Sequence, residues 1–248
     1  TFEKTGCTVI SGETGQFLTF DHGALGMAPF YNHGHADALS VTVHRNGIPF
    51  LVDPGTYRYN GPQDYRRWLK GTKAHNTVNI DGLDQAKQLT SFAWESGYNV
   101  SWKVDESRKD FFEIRASFDW TNVLGCELIH HRTLKHKDDS SLIVDTFEGV
   151  GSHDFEMRFI LHPDIEVIGS GEWMRLENSG EYLLLAFLHN QCNYVDKSQN
   201  QSWYSKSYGH MEPTGFLRCN FRGKPGDVQF VTALHFGNRA NIDEILKV

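Results

Sequence analysis

Short alternating runs of apolar and polar residues recur along this chain, and very few carry a helical period. Leu39, Val41 and Val43 alternate with Ser40, Thr42 and His44, the period-2 mark of a strand with one face in a core. Asn46-Gly47 follows as a strong hairpin signal, and Ile48–Val52 returns as the partner strand until Pro54-Gly55 ends it. Thr8–Ile10 and Phe17–Phe20 predict an opening hairpin, and Ala74–Ile80 a strand closed by Asp81-Gly82. Further strands are predicted at Asn99–Val104, Phe111–Phe118, Glu127–Leu134, Ser141–Gly149, Asp154–His162, Trp173–Leu176, Tyr182–Leu188, Ser202–Tyr208, Gly215–Phe221 and Val228–Leu234. Lys135–Ser140 reads as a polar hairpin tip, and Gln63–Lys70 as a single short helix.

Strands at this spacing, with no internal repeat or linker between them, predict one all-β domain over residues 1–248. Its expected form is a large antiparallel β-sandwich with little helix. The 248 residues, 39% of them hydrophobic, are enough for a sizeable core. The net charge of -7 and the lack of a Lys/Arg cluster argue against nucleic acid as a partner. No run approaches the roughly 18 apolar residues of a membrane span. No signal peptide is visible and the first residue is Thr1, so the sequence reads as a processed form or a part of something longer. Cys7, Cys126, Cys192 and Cys219 are scattered and form no CxxC pair. Buried thiols and one or two bridges are equally compatible with that spacing.

The chemistry concentrates between Tyr31 and Gln85, which hold four of the thirteen histidines: His33, His35, His44 and His75. A histidine pair two apart in a strand shares one face, and histidine is both a common metal ligand and the usual acid–base group near neutral pH. Taken alone, His33-Gly34-His35 reads at least as well as two polar histidines at a strand start. Asp53 and His75 change that, because two histidines and a carboxylate make an open zinc set. The hairpin register tests the idea. A two-residue turn pairs Arg45 with Ile48 and puts Asp53 on the face away from His35. A three-residue loop pairs His44 with Ile48 and puts Asp53 on the same face. The chain must also bend near Gly34 or Ala36, since His35 lies roughly 13 Å from Leu39 along a straight strand.

Tyr57, Tyr59, Tyr65, Arg66, Arg67 and Trp68 surround this stretch. Arginine grips carboxylates with two prongs and aromatic rings cover sugar faces, a mix that suits an acidic polysaccharide. Surface ion pairs for the two arginines and core packing for some tyrosines are the alternative. Of the other histidines, His130 and His131 read as structural. His22, His44, His136, His153, His162, His189, His210 and His235 read as surface or strand-end residues. Tyr208 is a further candidate for the cleft.

The stretches HGHADALS, GIPFLVDPGTYRYNG and YRRWLKGTKAHNTVNIDGLDQ, in that order, resemble the C-terminal β-sandwich domain of the heparinase II/III-like polysaccharide lyases, which alginate and oligoalginate lyases share. HHRTLKHKDDSSLIVDTFEGVGSHDFEMRFILHP resembles the strands that follow, while the last third matches only in general character. The resemblance implies cleavage of uronic-acid-containing polysaccharide by β-elimination, in a periplasmic or secreted setting. It implies that His33 belongs to the catalytic group, and that His35, Asp53 and His75 hold a divalent metal, most often Zn2+, that shapes the cleft. Tyr57, Tyr59 and Arg66 are the residues it leaves for substrate. Enzymes of the family also carry an N-terminal α/α-toroid domain that supplies an asparagine, a histidine and the proton-transferring tyrosine. That domain is absent from these 248 residues, so the chain alone is expected to show little turnover. A carbohydrate-binding module without catalysis, and a cupin-like metal-dependent enzyme, are the competing readings.

Overall fold

The computed structural model describes residues 1–236 except 13, 61–62, 106, 108–110, 171–172 and 189–191. The chain opens with a four-stranded antiparallel meander: β1 (Cys7–Ser11), β2 (Gln16–Asp21), β3 (Val41–Arg45) and β4 (Ile48–Leu51). Helix α1 (Gln63–Leu69) and a 3-10 turn at Thr72–Ala74 lead to β5 (Val78–Ile80). Then come β6 (Ser101–Val104), β7 (Phe112–Asp119), the short α2 (Thr121–Leu124), β8 (Leu128–Lys137), β9 (Ser140–Gly149), β10 (His153–Ile160), β11 (Glu166–Ile168), β12 (Trp173–Asn178) and β13 (Glu181–Leu188). The chain continues through β14 (Cys192–Val195), β15 (Trp203–Ser207), β16 (His210–Pro213), β17 (Phe216–Gly223) and β18 (Gln229–His235).

One layer is an eight-stranded sheet in the order β11-β12-β13-β18-β9-β8-β7-β6. The opposing layer is built from two smaller sheets, the opening meander and β14-β17-β10-β5, joined end to end. Val52 N donates to Ile160 O over 3.0 Å and His162 N to Phe50 O over 3.0 Å, so the end of β4 runs on into β10. Val41, Val43, Phe50, Phe155, Met157 and Leu217 from the small sheets share one core with Ile114, Leu128, Ile143, Phe147, Leu185 and Phe230 from the large one. The expected all-β sandwich is therefore the observed fold.

Strand β8 shows how the large sheet is tied to the small ones. Its alternation buries Leu128, His130, Arg132 and Leu134, and the facing phase of β9 buries Ser141, Ile143, Asp145 and Phe147. Two charges thus stand in core positions. Arg132 and Asp145 are cross-strand partners, and Arg132 holds both carboxylate oxygens, at 2.6 and 2.9 Å. The Nε2 of His130 reaches the same carboxylate at 2.7 Å. Burial alone would raise the Asp145 pKa; the Arg132 charge and the His130 hydrogen bond bring it below the usual carboxylate range.

Several sequence expectations need correction. Leu39 does not belong to β3: its φ of 65° turns the chain, and its N–H donates to Asp21 O over 2.9 Å. His33 and His35 lie in turns and coil rather than in a strand. Strands β11, β14 and β16, three or four residues each, were not anticipated. Of the histidines read as surface or strand-end residues, His22, His153 and His235 are buried, each at or next to the end of a strand. His22 bonds Thr8 and packs on Trp102, while His153 bonds Asp81. His189 lies outside the described residues. Cys192 and Cys219, cross-strand partners on β14 and β17, form a disulfide, and Cys7 and Cys126 are free.

Candidate functional site

The hairpin decides where Asp53 points. Asn46 and Gly47 have φ of 50° and 79°, both in the left-handed region that a two-residue turn of this hand requires, and Arg45 pairs with Ile48. One step further the register slips. His44 pairs with Pro49 but Val43 pairs with Leu51, so β4 carries one extra residue. Pro49 has no N–H to give, which suits a bulge in an edge strand. The two-residue turn is the first of the registers weighed above, yet the bulge reverses its consequence. Carried on, the shifted count sets Asp53 opposite Val41, the phase the three-residue loop would have given. Gly55 then anchors the side chain by donating to Asp53 Oδ1 over 2.9 Å. Gly55 has φ 75°, and a Cβ there would sit 2.3 Å from Ser205 O, so a larger residue does not fit.

The free Oδ2 of Asp53 lies 3.5 Å from Nε2 of His75, which lies 3.1 Å from Nδ1 of His35. Asp37 completes the group: one ligand atom from each of His35, Asp37, Asp53 and His75 falls within 4.8 Å of all the others. The imidazoles are set in a directional relay. Arg66 Nη1 donates to His35 Nε2 over 2.9 Å, which leaves the proton of a neutral His35 on Nδ1, facing His75. His75 in turn donates from Nδ1 to Gly71 O over 2.9 Å and presents a bare Nε2. Burial lowers the His35 pKa to about 3, with the His75, Arg66 and Lys70 charges acting in the same direction against Asp53. Burial likewise lowers His75. Burial, then the Asp21 and Asp53 charges, push the Asp37 carboxyl well above the usual range. Two neutral imidazoles and two mutually repelling carboxylates around one point suit a divalent cation. Ligand atoms about 2.0–2.1 Å from a tetrahedral zinc stand about 3.3–3.4 Å apart, close to the separations of His75 from His35 and Asp53.

The segments carrying these groups are pinned by buried polar side chains. Asn76, fully buried, donates from Nδ2 to Val41 O (2.6 Å) and Val52 O (3.1 Å) and accepts from Ile160 N (2.6 Å). It thereby ties the strands entering and leaving the hairpin to β10, next to His75 and Asp53. Arg132 donates from Nη1 to Leu39 O (2.6 Å) and Asn76 O (2.7 Å), reaching across the core to the same two segments. Gln85 accepts from Ala38 N at 2.9 Å and donates to Ala38 O at 3.0 Å, fixing the backbone beside Asp37. Trp94 donates to Gly34 O, between His33 and His35, over 2.9 Å, and the Lys70 ammonium sits 4.1 Å over its ring.

His33 stands apart from the group. It is exposed, holds φ at 67°, and its ring meets the Tyr59 ring edge-on at 5.3 Å. Among the described residues, five of the nine positive-φ positions that are not glycine are Asn, Asp or His, His33 among them, the types that most often adopt that conformation. Tyr31, Leu39 and Tyr57 are not of those types and all lie in this one region, and such strain concentrates where geometry serves function. Around His33 runs an aromatic surface. Tyr59 lies 5.8 Å from Phe92 and 6.0 Å from Tyr208, and Tyr57 is 6.2 Å from Tyr65, which lies 5.8 Å from Trp203. Gly209 N donates to Tyr57 O over 2.7 Å, so the β15–β16 hairpin is held against this loop.

The structure thus brings His35, Asp53 and His75 together, with His33, Tyr57 and Tyr59 on the rim. Arg66 is 2% exposed, so it makes no surface ion pair; it lies between His35 and the Tyr59 ring, 5.8 Å away. Asp37 is the residue the spacing argument missed, although it stands two places after His35 in a run that already held two histidines.

The family described as heparinase II/III-like, C-terminal, matches residues 1–232. A curated alginate lyase of Stenotrophomonas maltophilia (strain K279a) is 30% identical over 107 residues, covering 40% of this chain and 12% of that protein. Two solved structures share the fold. Heparan sulfate lyase HepC from Pedobacter heparinus has TM-score 0.72 at 15% identity, over 91% of this chain and 34% of that one. A heparinase III has TM-score 0.74 at 14% identity, over 95% of this chain and 36% of that one. The chain spans about a third of these structures and a smaller share of the curated relative.

Proposed function

Because the chain belongs to the heparinase II/III-like C-terminal family, we propose that it is the β-sandwich part of a longer polysaccharide lyase, acting on a uronic-acid-containing polymer by β-elimination. The partner in catalysis is an N-terminal α/α-toroid domain, and the cleft lies between the two. The observation that carries this reading is the placement of an exposed His33, held at positive φ, near a four-group cluster suited to a metal. In the reaction a base removes the C5 proton, the electron pair forms the C4–C5 double bond, and the C4–O4 bond breaks as O4 takes a proton. His33 is one of the groups that handle these protons at the rim. Tyr57 and Tyr59 cover sugar faces, and Arg66 turns to the uronate carboxylate.

Zinc is the ion proposed for His35, Asp53 and His75; when bound it would hold the loops that carry His33 and Tyr57 in place rather than activate water. Trp94, through Gly34, and Gln85, through Ala38, hold the same loop from behind. The Cys192–Cys219 disulfide supports a periplasmic or secreted location, since such bridges persist in oxidising compartments. The test is an assay for unsaturated product on heparan-type and alginate-type polymers, with the full-length protein and with residues 1–248 alone. The reading expects turnover on at least one polymer from the former and little from the latter. Equal turnover by the isolated chain would refute the shared cleft.

A further inference from the structure

Asp37 stands in the four-group cluster but outside the three-residue set proposed to hold zinc, and its surroundings leave it little freedom. On one side Ala36 N donates to Lys70 O (2.8 Å); on the other Gln85 grips Ala38 through both its N–H and its carbonyl, and Thr77 Oγ1 donates to the same carbonyl at 3.0 Å. Asp37's own carbonyl accepts from Ser40 N at 2.9 Å. The backbone is thus fixed before and after the residue, and its carboxylate is delivered into the group formed by His35, Asp53 and His75. Among the described residues no Lys or Arg contacts that carboxylate; the Arg66 guanidinium is bonded to His35 and the Lys70 ammonium to Thr90 O.

Charge favours the same assignment. Two neutral imidazoles, one carboxylate and a divalent ion leave a net positive charge at a point lined by buried His75 and half-buried His35 and Asp37, with Asp53 on the solvent side. A second carboxylate brings the set to neutrality, the arrangement that costs least away from water. Geometry allows it, because a 4.8 Å limit on every pair closes to a tetrahedron with small side-chain rotations. Resting on the metal reading above, we propose that Asp37 is a fourth protein ligand, so that the ion is enclosed by His35, Asp37, Asp53 and His75 and keeps no position for water or substrate. The site is then structural, and all chemistry falls to side chains outside it.

Cobalt(II) loaded into the purified protein tests this by its visible spectrum and its chelator-competition affinity. The wild-type protein should give an intense tetrahedral spectrum that does not change across the neutral pH range, because no bound water is there to ionise. Asp37→Ala should weaken cobalt binding by more than the roughly 10–100-fold typical of outer-shell groups, and its residual spectrum should become pH-dependent as water fills the gap. A wild-type spectrum that shifts with pH, or an Asp37→Ala protein that binds cobalt as the wild type does, would overturn the fourth ligand while leaving a three-ligand site intact. A wild-type protein that binds neither cobalt nor zinc would overturn the metal reading and this inference together. The wild-type spectrum decides the question even if the variant does not fold.

Discussion

Arg66 Nη1 donates to Nε2 of His35 over 2.9 Å, and that one bond sets the protonation of the whole histidine pair. With Nε2 accepting, a neutral His35 carries its proton on Nδ1, the nitrogen nearest His75. If His35 Nδ1 served as a metal ligand, the ring's proton would sit on Nε2, and two donors, Nε2–H and the Arg66 guanidinium, would then face each other. On the proposed function, loading the ion would therefore also free Arg66 for the substrate's carboxylate.

Arg66→Met should therefore tighten divalent-ion binding while weakening binding of an oligouronate. Removing a charged hydrogen bond that competes with the ion is worth about 1.5 kcal/mol, or about tenfold in affinity. Zinc competition titrations and oligosaccharide calorimetry on the same variant should move in opposite directions. Movement of both in the same direction would show that Arg66 does not exchange partners.

Asn76→Ala should be among the most destabilising changes near the site. It leaves the carbonyls of Val41 and Val52 and the N–H of Ile160 without their buried partner. The expected loss is roughly 3–5 kcal/mol in urea unfolding, since each orphaned buried group costs about 1–3 kcal/mol. A loss below about 1 kcal/mol would mean that water replaces the amide.

Arg132→Met should destabilise the fold by roughly 3–5 kcal/mol because it strands a fully buried Asp145. The double change Arg132→Met with Asp145→Leu should recover much of that loss, as the uncompensated charge goes too. Comparing the two unfolding midpoints separates the cost of the stranded charge from the loss of the bonds to Leu39 and Asn76.

His153 should make stability fall as pH rises. Burial works against its charged form, but the hydrogen bonds to Asp81 and Val150 and the Asp81 and Asp154 charges outweigh that, so its pKa lies above the ordinary 6.5. A raised folded pKa gives stability that is complete below the unfolded value and is lost as pH climbs through the folded one. His153→Gln should flatten the urea midpoint against pH over that window. An unchanged slope would assign the pH dependence to other groups.

Much of this was legible in the residues, and what was not has identifiable causes. Alternation around Asn46-Gly47 gave the hairpin, but not the extra residue at β4 that turns Asp53 toward His75, because one bulge reverses every later side chain while leaving the apolar pattern intact. The alternation also ran straight through Leu39, where hydrogen bonds to Asp21 and Arg132 hold a left-handed turn that no local propensity announces. Asp37 was legible too: it stands two places after His35, the same spacing that relates His33 to His35, and was passed over. The Arg132–Asp145 pair could have been found, since Arg132 keeps phase with Leu128 and Leu134, and Asp145 with Ile143 and Phe147. Charges at core-facing positions require partners.

The reading turns on His33 doing chemistry and the neighbouring cluster doing none. The measurement that bears on this most directly is the rate of unsaturated-product formation by the full-length protein carrying His33→Ala, with bound metal quantified in the same sample. The rate should fall by about 10²-fold or more, the usual weight of a proton-transferring group, with metal content unchanged. A variant that keeps its rate, or that loses metal in proportion to activity, would contradict the division between the residue on the rim and the clamp behind it.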